Sequence, residues 1–233
     1  MALYSRAETQ RAVESGSISE SLVAVLEPFG DVAEAYRYVR ANLLYNLAEA
    51  SSRVIVVTSP GPAEGKSNVC ANLGVVLAQA GENTLVLDCN LRRPSIHKIF
   101  GLRNTHGIFD VLFAEYKLEE SYQEPYPTLG LKVLTVGPLP PNPAEVLSSQ
   151  RFSELLAGVR EQFDYVLVDS SPTNLVSDVT AVAAQADGVL LVLDAQKTRK
   201  GDARGAVRSL TAVGANIIGT VMNNVKRRQD SYH

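Results

Sequence analysis

Four polar side chains in this sequence stand where phosphate chemistry needs them: Lys66, Ser67, Asp88 and Asp169. The stretch from Arg53 to Ser67 is a β-branched run, a Pro/Gly turn and then Gly65-Lys66-Ser67, opening the helix-like Asn68 to Gln79. Strand, loop and helix in that order offer a triphosphate free backbone N–H groups and the positive end of a helix dipole. Lys66 can reach the β- and γ-phosphates as a point charge, the Ser67 hydroxyl can ligate Mg²⁺, and Gly65 permits close backbone approach. The first glycine of G-x-x-x-x-G-K-[ST] would fall at Pro60 and is displaced to Gly61. The general expression therefore fails while its core, Pro62-Ala63-Glu64-Gly65-Lys66-Ser67-Asn68, survives; read alone, it is also compatible with an ordinary turn that ends in Gly-Lys-Ser.

The carboxylates strengthen the first reading. Thr84 to Asp88 is a short apolar run ending in an acid and followed by Cys89-Asn90-Leu91-Arg92-Arg93-Pro94, and Phe163 to Asp169 is a second such run. In open α/β sheets ligands bind outside the carboxyl ends of the strands, which brings both acids beside the phosphates. Asp169 then has the placement of a Walker B acid that holds Mg²⁺ through its hydration shell. Each acid alone could be a plain strand terminus. Three strands ending in a phosphate loop and two acids together point to a nucleotide site.

The elements that must position these groups alternate along the chain. Strand-like runs at Lys132 to Val136, Gly188 to Asp194 and Asn216 to Met222 interleave with helices around Phe152 to Gln162, Ser177 to Ala186 and Arg199 to Val213. Short connections between them imply an α/β fold of the P-loop NTPase-like kind: three layers, a mostly parallel β-sheet with helices on both faces. Glu119 to Gly130 reads as a loop. Residues 1–28 read as a mobile N-terminal arm with at most one docked segment, 29–226 as the ATP-binding domain and 227–233 as a short tail. Asp31 to Ala50 reads as an amphipathic helix capped by Asp31, its apolar face Val32, Ala35, Val39, Leu43 and Leu47, and it carries Glu34, Arg37 and Arg40.

At 233 residues the chain can bury one sizeable core, and 45% hydrophobic with 20% charged residues describes a globular domain. A net charge of −3 argues against a nucleic-acid-binding surface. With neither a long apolar run nor a secretory signal, the expected location is cytoplasmic. Cys70 and Cys89 lack metal-type spacing and read as buried free thiols; His97 reads as a packing or hydrogen-bonding residue rather than a ligand.

Several motifs occur together in one order: Thr58-Ser59-x-x-Pro62-x-Glu64-Gly65-Lys66-Ser67, then Leu87-Asp88-x-x-Leu91-Arg92-Arg93-Pro94-x-x-His97, Pro141-Asn142-Pro143-x-Glu145, and Phe163-Asp164-Tyr165 to Asp169. The set resembles the bacterial tyrosine autokinases of capsule and exopolysaccharide biosynthesis, over roughly Phe29 to Lys226. The resemblance implies ATP and Mg²⁺ as cofactors. It makes Lys66, Asp88 and Asp169 catalytic, Ser67, Asp88 and Asp169 metal-binding, and Asn223 a contact of the base. It further implies that Glu34, Arg37 and Arg40 assemble a homo-oligomeric ring, that tyrosine-containing proteins are substrates, and that a separate membrane activator of the chain-length-regulator type recruits the protein to the inner face of the membrane.

Two positions depart from that family. Asn90 stands where a second acid is expected, and the C-terminal tyrosine cluster is reduced to Tyr232, leaving Tyr232 and Tyr4 as acceptor candidates. Without a charged neighbour at position 90, Asp88 is expected to be a good metal ligand and a poorer proton acceptor. Two other readings stay open: a nucleotide-binding pseudokinase that scaffolds the same machinery, and a ParA/MinD-like ATPase.

Overall fold

Strands covered on both faces need side chains that are apolar on both, so near-continuous apolar runs go to the middle of a parallel sheet. The computed structural model describes residues 18–46, 53–114, 116–175 and 177–226. Its strands are β1 (Arg53–Thr58), β2 (Thr84–Asp88), β3 (Gln123–Tyr126), β4 (Leu131–Leu134), β5 (Tyr165–Asp169), β6 (Gly188–Asp194) and β7 (Ile217–Asn223). They form one sheet in the order β3-β4-β2-β5-β1-β6-β7. Only β3 runs antiparallel, against β4. The register pairs Asp88 with Asp169 and Val57 with Asp169, so the phosphate loop and both acids leave the same edge of three adjacent strands.

Side chains alternate across this sheet and fill two cores. Ile55 and Val57 face one layer, made of α1 (Val23–Leu26), α2 (Asp31–Asn46), α3 (Lys66–Gln79) and α4 (Ile96–Phe100). Val54 and Val56 face the other, which includes α5 (Ile108–Phe113), α7 (Pro143–Leu147), α8 (Gln150–Gln162), α9 (Asp178–Ala183) and α10 (Lys200–Ala212), with α6 (Leu118–Ser121) at its margin. The helix after the phosphate loop, α3, lies almost wholly inside. It approaches β2 so closely that a Cβ at Gly74 would sit 2.6 Å from Val86 Cγ2.

The alternating strands and helices are therefore as the sequence implies, with three differences in detail. The stretch read as a loop holds α6, the edge strand β3 and a 3₁₀ turn over Pro127–Leu129. Asp31 is the first helical residue of α2, and the Gly30 carbonyl accepts from the Glu34 amide. The buried face of α2 is Ala33 and Leu43 with half-buried Tyr36, Val39 and Arg40, whereas Val32 and Ala35 are exposed. Leu47 lies outside the described residues.

Residues 18–28, assigned to the arm, pack on the first layer. Ile18, Leu22 and Val25 join its core, and fully burying a side chain such as Leu22 is worth about 1.5–3 kcal/mol. The Ala24 amide donates to Asn72 Oδ1 at 2.9 Å and Gln79 Nε2 donates to the Ala24 carbonyl at 3.0 Å, both on α3. Residues 1–17, with Tyr4, and 227–233, with Tyr232, lie outside the described residues. Among the described residues no helix is long and apolar enough to cross a membrane.

Candidate active site

The loop between β1 and α3 turns on two left-handed residues, Ala63 (φ 55°) and Gly65 (φ 93°). Gly65 is required twice over. Its φ disfavours a side chain, and a Cβ there would meet Asn223 Nδ2 at 2.0 Å. Asn223, the last residue of β7, donates from Nδ2 to the Glu64 carbonyl at 3.0 Å and so closes over the loop. From the other side, Glu64 Oε1 accepts from Thr198 Oγ1 at 2.7 Å, and the same Thr198 oxygen accepts from the Asp194 amide at the end of β6. Glu64 Oε2 is buried without a hydrogen-bond partner among the described residues.

Lys66 and Ser67 begin α3 and meet Asp169. Ser67 Oγ donates to Asp169 Oδ2 at 2.7 Å, while Lys66 Nζ lies 3.0 Å from Ser67 Oγ and 3.5 Å from Asp169 Oδ1. Asp88 stands beside them, fully buried, accepting from the amide of Asn90 at Oδ1 and from those of Ser95 and Ile96 at Oδ2. Burial, and then the charge of Asp169, push the Asp88 carboxyl up to about 8, against the pull of its backbone donors and Lys66. Burial likewise raises Asp169, opposed by Lys66 and Ser67. Asp169 thus supplies Asp88 with a like-charged neighbour, where position 90 offers none.

Asn90 has a structural task. Its Nδ2 donates to the Arg93 carbonyl at 2.8 Å, its carbonyl accepts from the Arg93 amide at 3.1 Å, and its Oδ1 accepts from Ser171 Oγ at 3.2 Å. Arg92 is held by two bonds to Asp178, Nε at 2.7 Å and Nη2 at 3.1 Å. Thr198, Ser171 and Asp178 escaped the sequence reading because none belongs to a motif and each meets its partner only through the fold. Cys70 and Cys89 are buried thiols as expected, both pushed up by burial. His97 Nδ1 is buried without a partner among the described residues, and burial lowers that imidazole.

Of these groups Gly65, Lys66, Ser67, Asn90, Arg92 and Ser171 line a cleft of about 950 Å³ that runs from the phosphate loop to Arg93 and Lys98. Two buried carboxylates facing each other beside a serine hydroxyl are a donor set that a small divalent cation would relieve. Among the described residues no cluster of three His, Cys, Asp or Glu offers a metal cage of its own. That fits Mg²⁺, which keeps waters and takes substrate phosphates as ligands. The Glu34-Arg37-Arg40 trio lies elsewhere, on α2, and is divided. Arg37 pairs with Glu34 at 2.7 Å and reaches the Pro28 carbonyl, while Arg40 Nη1 donates to the Val76 carbonyl of α3 at 3.0 Å.

Comparison with known proteins agrees with this geometry. The family model described as "ParA: NUBPL iron-transfer P-loop NTPase" matches residues 50–230. Tyrosine-protein kinase YwqD of Bacillus subtilis is 36% identical over 92% of this chain and 90% of its own length. The chain belongs to the bacterial tyrosine-protein kinases.

Within the ParA-type P-loop NTPases, the kinases are the nearer kin. The kinase domain of Escherichia coli tyrosine kinase ETK superposes with a TM-score of 0.84 at 31% identity, covering 91% of this chain and 83% of that one. The septum site-determining protein MinD of Pyrococcus horikoshii, complexed with Mg-ADP, reaches 0.64 at 22% identity over 76% of this chain and 72% of its own, a likeness of fold. A kinase of this family binds a nucleotide.

Proposed function

We propose that this protein is an ATP- and Mg²⁺-dependent protein-tyrosine kinase that phosphorylates tyrosines on itself in trans and on other proteins, regulating capsule or exopolysaccharide polymerisation and export. The observation that carries the reading is the meeting of Lys66, Ser67, Asp88 and Asp169 at one end of the sheet, in a chain with 36% identity to a tyrosine-protein kinase. The α3 amides and Lys66 hold the β- and γ-phosphates, and Asn223 borders the base. Ser67 and Asp169 hold the metal with Asp88. When bound, Mg²⁺ neutralises charge on the transferring phosphoryl group. Asp88, ionised once a bound cation has displaced its proton, would then accept the proton of the acceptor tyrosine hydroxyl.

Glu34, Arg37 and Arg40 are proposed to join copies into a ring; only Glu34 is more than half exposed on its side chain, at 53%, so Arg37 and Arg40 must exchange their present contacts to do so. Tyr232 and Tyr4 are the proposed acceptors of the chain itself. Recruitment from the cytoplasm to the inner face of the membrane by a separate activator of the chain-length-regulator type is part of the same proposal.

The test is incubation with ATP and Mg²⁺, with and without the cytoplasmic tail of a candidate activator, followed by mass spectrometry. Phosphotyrosine is expected in the native protein and none in Lys66→Met; phosphotyrosine persisting in Lys66→Met refutes the assignment. The pseudokinase reading is favoured by one observation, that Asn90 spends its side chain on Arg93 and Ser171. Nucleotide-dependent assembly without phosphotyrosine would establish it, and phosphate release alone would establish the ParA-like ATPase.

A further inference from the structure

The cleft has a charge pattern that the nucleotide does not use up. Among the described residues no acidic side chain lines it, since Asp88 and Asp169 lie buried beneath its floor. Four cations do: Lys66, Arg92, Arg93 and Lys98. Lys66 belongs to the phosphates and Arg92 is neutralised by Asp178. The exposed side chains of Arg93 and Lys98 have no hydrogen bond or ion pair among the described residues, in a chain whose net charge is −3. The positive rim is therefore local.

Both cations are fixed relative to the reacting groups. Asn90 clamps Arg93 at its amide and its carbonyl, and the Lys98 amide donates to the Ser95 carbonyl at 3.1 Å. Ser95 and Asn90 are themselves donors to Asp88. Across the cleft stand Pro172 and Leu175, the latter 61% exposed, with Ile99 on the side of Lys98. An apolar wall near the phosphate loop suits an aromatic ring, and two rigidly based cations suit carboxylates on the residues flanking it.

Resting on the kinase reading, we infer that this cleft selects acceptor tyrosines flanked by Asp or Glu, with Arg93 and Lys98 as the residues that read the flanking charge. Asn90, placed where a second acid is expected, then serves by holding Arg93 in position.

The experiment is fluorescence anisotropy on the full chain with Mg²⁺ and a non-hydrolysable ATP analogue. It uses three labelled peptides that differ only in having Glu, Ser or Lys around one tyrosine. The Glu peptide is expected to bind about tenfold more tightly than the Ser peptide at low salt, two exposed charge pairs being worth about that much, with the preference fading at high salt. Arg93→Ala with Lys98→Ala removes the preference while keeping nucleotide affinity, and Arg93→Glu with Lys98→Glu turns it toward the Lys peptide. Equal binding of all three peptides overturns the inference. So does a loss of nucleotide affinity in the alanine pair, which would make the rim part of the phosphate site, or loss of binding to anionic vesicles without effect on the peptides, which would make it a lipid contact. Transfer measured on the same peptides separates the two levels. Phosphotyrosine on all of them equally refutes the selectivity and keeps the kinase; a Glu preference in binding with no phosphotyrosine on any peptide keeps the selectivity and refutes the kinase.

Discussion

Raising the pH of metal-free protein from 5 to 7 is expected to weaken its fold, because the Asp88 carboxyl, pushed from 3.8 up to about 8, holds its proton in the folded state and loses it in the unfolded one. The folded state binds more protons across that window, so the contribution of Asp88 is full below pH 4 and is lost as the pH climbs toward 8. At about 1.36 kcal/mol per unit, two units correspond to roughly 2.7 kcal/mol, or a fall of about 5–10 °C in Tm for a domain of this size. Asp169, raised in the same sense, adds to the slope, while His97, lowered by burial and Lys98, opposes it. Asp88→Asn isolates the main contribution. The amide oxygen can keep the Ser95 and Ile96 donors and lose that of Asn90, at about 1 kcal/mol, so the variant should be slightly weaker than native at pH 5 and more stable by about 1–3 kcal/mol at pH 7 and above. The assay is thermal and denaturant unfolding in EDTA across the range, repeated with Mg²⁺ and ADP, which should flatten the native slope. A native stability that rises from pH 5 to 7, or an unchanged slope in Asp88→Asn, refutes the account.

Three further outcomes follow from other contacts. Asn90→Asp loses the Nδ2 bond to the Arg93 carbonyl and adds a third acid beside Asp88; it should cost about 1–2 kcal/mol in EDTA and tighten Mg²⁺ in titration calorimetry, and an unchanged metal affinity would count against the two-carboxylate site. Gly74→Ala drives a methyl to 2.6 Å from Val86 Cγ2 and should cost about 1–3 kcal/mol in urea unfolding, largely restored by Val86→Ala in the same chain; strict additivity of the two would disprove the contact. Thr198→Val removes the bond to Glu64 and the one accepted from Asp194; nucleotide affinity should fall about tenfold, with recovery in Thr198→Ser, and equal affinity in all three would show that the loop holds its shape unaided.

What the sequence made readable is what depends on neighbours along the chain. β1, β2 and β5 announce themselves because a strand buried on both faces is an apolar run, and the acids ending two of them follow directly. Gly65 to Ser67 is legible because the chemistry is local. β3 was not, since Gln123-Glu124-Pro125-Tyr126 is polar and Pro125 has no amide to give, which only an edge position tolerates. The face of α2 was misjudged because amphipathic Tyr36 and Arg40 turn inward in place of Val32 and Ala35. Glu64 with Thr198, Arg92 with Asp178 and Asn90 with Ser171 are separated by 134, 86 and 81 positions, and no periodicity reports such pairs. The electrostatic state of Asp88 belongs with them, because the register that pairs it with Asp169 sets it.

The docked segment after Ile18 is also an anchorage. Its Ser19 amide donates to the Ile99 carbonyl at 3.1 Å, and Ser21 Oγ donates to Asn68 Oδ1 at 3.1 Å, one residue beyond Ser67. A pull applied at Ile18 is therefore loaded first onto the lip of the cleft, and onto the sheet only after those bonds part. The docked segment and the helix that opens behind Gly65 share one hinge point, so loosening that segment should perturb nucleotide exchange.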